Sequence, residues 1–149
     1  MTEGAHRAPR ILLVEDDAIN RAVLRAVLDT ASVPELRRAD VVEVETLTRA
    51  RAVLAGDPFD LVLLDVRLPD GSGLALAREL NSDAARAVPV ILALSAGVLP
   101  AEREAALVAG CHAFVEKPYT AQRLVATLMT HLPGRRPPAE WEPPAPATD

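Results

Sequence analysis

The chain has 149 residues, 50% of them hydrophobic but only 3% aromatic, and a formal net charge of −5 at pH 7. That length supports one domain with a core of Val, Leu, Ile and Ala. The acidic balance excludes a general nucleic-acid binder, which needs a basic face, and no apolar run reaches the roughly 18 residues that span a bilayer.

Residues 1–9 are polar and read as a flexible N-terminus without the apolar core of a secretory signal. Arg10-Ile11-Leu12-Leu13-Val14 has the pattern of a buried strand and ends in acid, Glu15-Asp16-Asp17. A helix follows: Ile19, Val23 and Val27 share a stripe, Leu24 and Leu28 lie beside it, and Asp16 or Asp17 is placed to cap its first turn. Ser32-Val33-Pro34 breaks that helix. Val41-Val42-Glu43-Val44 predicts a second strand, extending back toward Leu36, and Leu47, Ala50, Val53 and Leu54 predict a short helix stopped at Gly56.

Phe59-Asp60-Leu61-Val62-Leu63-Leu64-Asp65 is the stretch around which the rest is organised. Its apolar run, bounded by Asp57-Pro58 and Pro69, reads as a central parallel strand buried on both faces. Asp65 then stands at the carboxyl end of that strand, where such a sheet opens its crevice. Leu74, Ala77 and Leu80 predict the next helix, Val90-Ile91-Leu92-Ala93-Leu94 a fourth strand ending at Ser95, and Pro100–Ala109 a helix stopped by Gly110. Ala113-Phe114-Val115-Glu116 predicts a last strand ending at Lys117-Pro118, and Leu124, Val125, Leu128, Met129 and Leu132 the last helix. Residues 133–149 carry Pro133, Pro137, Pro138, Pro143, Pro144 and Pro146 and read as a disordered, proline-rich tail.

Strand and helix alternate five times, which predicts a doubly wound α/β domain over residues 10–132 with helices on both sheet faces. All strand carboxyl ends then lie on one edge, bringing Glu15, Asp16, Asp65, Ser95 and Lys117 together. Clustered carboxylates repel, and a hard divalent cation such as Mg²⁺ relieves the repulsion. An Asp beside that cation and a Lys is suited to attack phosphorus and form an aspartyl phosphate. Lys117 would neutralise charge on the transferring oxygens, and Ser95 would donate a hydrogen bond to the product.

Four segments carry a family resemblance: Ile11-Leu12-Leu13-Val14-Glu15-Asp16-Asp17, Leu61-Val62-Leu63-Leu64-Asp65-Val66-Arg67-Leu68-Pro69-Asp70-Gly71, Ala93-Leu94-Ser95-Ala96 and Phe114-Val115-Glu116-Lys117-Pro118-Tyr119. In order and spacing they resemble the receiver domain of two-component response regulators, over about residues 10 to 132. The resemblance implies a flavodoxin-like five-stranded parallel sheet of order 2-1-3-4-5. It implies that Asp65 accepts phosphate from a histidine kinase or histidine phosphotransfer protein, and that the chain catalyses nothing beyond its own phosphotransfer and slow autodephosphorylation. By the same carry-over Glu15, Asp16, Asp65 and the Arg67 backbone carbonyl hold Mg²⁺. Ser95 and Phe114 form a switch pair, Lys117 is the phosphate-side cation, and Lys117-Pro118 is a cis peptide. Arg67 and Gly97 would flank the approach of hydrolytic water. Ile19-Asn20-Arg21 resembles receivers of hybrid kinases and phosphorelays, with Ile19 and Val23 on the donor-docking face. The output would be a downstream protein effector, with no direct nucleic-acid or membrane contact, and no effector domain is expected after Leu132.

This sequence departs from the pattern in having Glu15-Asp16 in place of two aspartates and Phe114 where a Tyr is often found. A pseudo-receiver that only binds a partner is the rival reading, opposed by the intact Glu15, Asp16, Asp65, Ser95 and Lys117. A phosphohydrolase of the haloacid dehalogenase type needs a second Asp two residues after the nucleophile, and Arg67 stands there. Gly71-Ser72-Gly73 fails as a dinucleotide loop because Leu76 occupies the third glycine position. His6, His112 and His131 lack zinc-ligand spacing. Cys111 is the one cysteine, which excludes an internal disulfide and points to a reducing, cytoplasmic setting, with the thiol a small packing residue. Trp141 reads as solvent-exposed.

Overall fold

The computed structural model describes residues 8–82, 88–96 and 99–132. The expectations for the first residues, for Gly97 and for the proline-rich tail with Trp141 lie outside them. The elements are β1 (Arg10–Val14), α1 (Ala18–Asp29), α2 (Pro34–Arg37), β2 (Asp40–Val44), α3 (Leu47–Gly56), β3 (Leu61–Asp65), β4 (Arg67–Leu68), β5 (Gly71–Ser72), α4 (Gly73–Ser82), β6 (Val90–Ser95), α5 (Pro100–Val108), β7 (Ala113–Glu116) and α6 (Ala121–His131).

The main sheet has five parallel strands in the order β2-β1-β3-β6-β7. Counting main-sheet strands alone, this is the expected 2-1-3-4-5. β4 and β5 form a separate two-stranded antiparallel ribbon that the periodicity did not reveal, because two-residue strands have no readable period.

β3 lies at the centre, and its Leu61, Val62, Leu63 and Leu64 are wholly buried. Alternation sends them to two cores. Val62 and Leu64 pack with Leu12, Val14, Ile91 and Ala93 beneath α3 and α4. Leu61 and Leu63 pack with Ile11, Leu13, Leu92 and Leu94 beneath α1 and α6. Burying each such side chain contributes about 1.5–3 kcal/mol, which is why an unbroken apolar run marks the middle of the sheet.

One expectation changes. The second strand does not reach back to Leu36. Pro34 opens α2, a single helical turn whose Leu36 is buried, and β2 starts at Asp40. Proline at the first helical position and Glu35 beside it favour a turn there over an extended strand. The stripe of the first helix divides in a way its period does not show, with Ile19 and Val23 on the surface as a docking face requires. Leu24, Val27 and Leu28 face the core, whereas Ile19 and Val23 are 74% and 48% exposed. Asp17, rather than Asp16, caps α1, accepting from the backbone N–H groups of Ile19 and Asn20 at 2.8 and 3.2 Å.

Candidate functional site

The parallel strands deliver their last residues to one edge, and backbone hydrogen bonds hold each in place. The Glu15 N–H donates to the Val44 carbonyl at 3.0 Å, Val66 N–H to Leu94 at 3.0 Å, and Lys117 N–H to Ser95 at 2.8 Å. These bonds continue the sheet ladder just past the strand ends, so the site stands on rigid main chain. The Lys117–Pro118 peptide is cis, as expected.

Glu15, Asp16 and Asp65 converge, with one carboxylate oxygen from each within 4.8 Å of the others. Glu15 and Asp65 are 1% and 7% exposed, and Asp16 is exposed. Lys117 Nζ bridges the two buried acids, 3.1 Å from Glu15 Oε1 and 3.2 Å from Asp65 Oδ2. The second oxygens are held by main chain: Asp17 N–H donates to Glu15 Oε2 at 3.1 Å, and Arg67 N–H to Asp65 Oδ1 at 3.0 Å. Burial works against the Lys117 ammonium, but the charges of Asp65 and Glu15 and their hydrogen bonds outweigh it and raise its pKa. Three carboxylates against one ammonium leave two negative charges uncompensated at the edge. This all-oxygen donor set, open on the Asp16 side, fits a hard divalent cation.

Ser95 is 3% exposed and ends β6. Phe114 sits one strand over, opposite Ala93, half-buried against the α3–α4 core. The Arg103 guanidinium lies 5.8 Å from the centre of its ring and 3.6 Å from Glu116. The Arg67 side chain is 82% exposed and reaches Glu102 on α5 at 3.6 Å.

Several residues shape the site in ways the sequence did not assign to them. Gly73 opens α4 directly under the phosphoacceptor candidate: a Cβ there would collide with the Asp65 carbonyl oxygen and press on Leu64. Its N–H donates to Val66 at 2.7 Å, so helix and strand end meet with no room for a side chain. Asp70 accepts from the backbone N–H groups of Leu47 and Thr48 at 2.9 and 3.0 Å, tying the β4–β5 turn to the start of α3. Those bonds hold its carboxyl below the usual range. Burial, then the charges of Glu15 and Asp65, push the Tyr119 phenol up to about 12. Arg21 grips the main chain of the acidic turn, donating to the carbonyls of Glu15 and Asp16 at 2.8 and 3.1 Å. Its helical position was legible, but not that it folds back onto the turn. For Gly73 the available signal was the glycine at the start of a helical pattern, and for Asp70 a turn acid after proline.

Comparison with known proteins agrees with this geometry. The response regulator receiver domain matches residues 11–129. The polar-differentiation response regulator DivK of Brucella anthropi is 28% identical over 123 residues, 82% of this chain and 94% of that protein. Among solved structures, the receiver domain of the sensor histidine kinase PA1611 from Pseudomonas aeruginosa, which has a magnesium ion coordinated in its active-site cleft, is 30% identical with a TM-score of 0.70, covering 84% of this chain and 98% of that one. The non-phosphorylated HemR receiver domain of Leptospira biflexa is 32% identical with a TM-score of 0.71, covering 87% and 98%. Receiver domains are signalling modules that work with histidine kinases and downstream effectors. No helix among the described residues is long and apolar enough to cross a membrane. With a buried aspartate at the end of its central strand, a lysine and two further acids around it, and the family's sequence matched over residues 11–129, the chain belongs to the response regulator receiver domains.

Proposed function

We propose that this receiver accepts a phosphoryl group on Asp65 from a histidine kinase or a histidine phosphotransfer protein and passes the signal to a downstream protein. The observation that carries the reading is the setting of Asp65. Its carboxylate is buried at a strand end, held through one oxygen by the Arg67 N–H and through the other by Lys117. Fixed in this way, the nucleophile loses little freedom on reaction.

In the transfer, an Asp65 oxygen forms a bond to phosphorus as the bond from phosphorus to the donor's imidazole nitrogen breaks. The electron pair stays on that nitrogen. Lys117, already 3.2 Å from Asp65 Oδ2, stabilises charge on the phosphoryl oxygens. The Ser95 hydroxyl donates a hydrogen bond to the product, and Phe114 turns inward as Ser95 moves. Glu15, Asp16, Asp65 and the Arg67 carbonyl would hold Mg²⁺. When bound, that ion supplies positive charge against the transferring oxygens.

Residues 10–132 act as the receiver unit, and the exposed Ile19 and Val23 lie on the donor-docking face. The setting is cytoplasmic, consistent with a lone, buried cysteine. The activity goes no further than the chain's own phosphotransfer and slow autodephosphorylation. Incubation with acetyl phosphate and Mg²⁺ should add one phosphoryl group by mass spectrometry, absent in Asp65→Asn. Equal labelling of that variant would refute the assignment. A beryllofluoride phosphate mimic should shift amide resonances near Ser95, Phe114 and α6, and shifts confined to the acidic turn would remove the switch pair.

A further inference from the structure

Arg21 joins three elements at the acidic edge. It is carried by α1, and one guanidinium nitrogen, Nη1, reaches both the Glu15 carbonyl at 2.8 Å and the Asp16 carbonyl at 3.1 Å. The remainder of the fork faces acids at and just beyond the end of β2: Nε lies 3.5 Å from Glu43 and Nη2 3.8 Å from Glu45. The side chain is only 16% exposed. Two consecutive carbonyls drawn to one donor constrain the main chain between them, and with it the directions in which the Glu15 and Asp16 carboxylates leave the backbone. The planar guanidinium supplies those bonds while its other edge is anchored on β2, a task a point-charge ammonium performs poorly.

We infer that Arg21 is a positioning residue for the cation site: by clamping the Glu15 and Asp16 carbonyls it aims the two acids and sets the affinity of the receiver for a divalent ion. The inference rests on the reading of Glu15, Asp16 and Asp65 as the Mg²⁺ ligands. It has a built-in opponent of opposite sign. Arg21 is a cation close to a cation site, so its charge alone disfavours the ion, and electrostatics without positioning predicts tighter binding once the charge is removed.

Calorimetric titration of the full chain with Mg²⁺ alone, and with Mn²⁺ alone, decides between them. Arg21→Gln should weaken binding roughly tenfold, at the lower end of what outer contacts that orient ligands contribute. Arg21→Lys keeps the charge and loses the fork, and should weaken binding about threefold. Arg25 is the control. It shares Glu43 at 2.9 Å and pairs with Asp29 at 3.7 Å, so Arg25→Gln disturbs the same surface network without the two carbonyl contacts, and it should leave the affinity unchanged. In phosphorylation by acetyl phosphate, Arg21→Gln should raise the Mg²⁺ concentration giving half the maximal rate while preserving the rate at saturation. A purely structural loss would lower both and appear in thermal unfolding. Tighter or unchanged binding in Arg21→Gln and Arg21→Lys overturns the inference, as does an equal loss in Arg25→Gln. If the wild type binds neither ion, the metal reading itself fails, which the first titration shows before any variant is made.

Discussion

Replacing Lys117 with Met tests the electrostatics of the site most directly. The substitution keeps length and apolar bulk but leaves Glu15 and Asp65 facing each other without the ammonium that lies 3.1 and 3.2 Å from them. With their oxygens within 4.8 Å, two unit charges repel by about 3.5 kcal/mol at an effective dielectric constant of ~20 and by about 0.9 kcal/mol in bulk water. Lys117 is 22% exposed and Asp16 opens the site to solvent, so the real value falls between these limits. Lys117→Met should therefore destabilise the metal-free protein by about 1–3 kcal/mol, which lowers Tm by roughly 2–4 °C per kcal/mol at this chain length. Urea unfolding in chelator-treated buffer measures the loss. Mg²⁺ should restore part of it, because a ligand at ten times its Kd stabilises the folded state by about 1.4 kcal/mol. The same variant should be phosphorylated roughly a hundredfold more slowly, as when one preorganised donor to a developing charge is removed. A variant as stable as the wild type without metal would refute the account of Lys117 as the cation that the buried acids require. The ammonium's pKa is raised in the folded state, so its contribution is fully present at neutral pH and is lost only as pH rises above about 10.4, the unfolded value, through the folded one.

Further outcomes follow from the same geometry. Tyr119 is the only tyrosine, so its ultraviolet titration is unambiguous: the midpoint should lie near 12 in the folded chain and near 10 in denaturant, and folding stability should decline as pH rises between those values. A folded midpoint near 10 would contradict the burial of the Tyr119 phenol first, and its place beside Glu15 and Asp65 with it. Gly73→Ala should destabilise the fold by about 1–3 kcal/mol and impair phosphorylation, since the new methyl meets the Asp65 carbonyl rather than a side chain that can turn away; wild-type behaviour in both assays would show that α4 shifts freely. Cys111 is buried with its thiol pushed up to about 11, so native protein should react with a thiol reagent far more slowly than urea-unfolded protein, and equal rates would contradict its burial. Arg67→Ala should speed the first-order loss of label from the phosphoprotein if the arginine leaves Glu102 to cover the phosphoryl group; slower decay would mean that it assists hydrolysis.

The sequence pattern by itself determined the layers and the acids that end the strands, while the strand order followed from the resemblance to receiver domains. Parallel strands buried on both faces must be continuous apolar runs, and a sheet of such strands has one carboxyl edge. The residue that ends each run, whether Glu15, Asp65, Ser95 or Lys117, was therefore legible as a candidate for one shared edge before any distance was known. Contacts made across the fold by side chains without a repeating pattern were not legible. Pro34 could begin a helical turn or interrupt a strand, and the burial of Leu36 against the α1–α6 core chose the turn. Ile19 and Val23 fit a helical stripe as well as Leu24 and Leu28 do, and only the helix's rotation against the sheet put them in solvent. Which acid Lys117 would bridge, the clearance that forbids a side chain at Gly73, and the return of Arg21 onto its own turn all depend on distances between elements. Local periodicity carries no information about such distances; they exist only once the helices are docked.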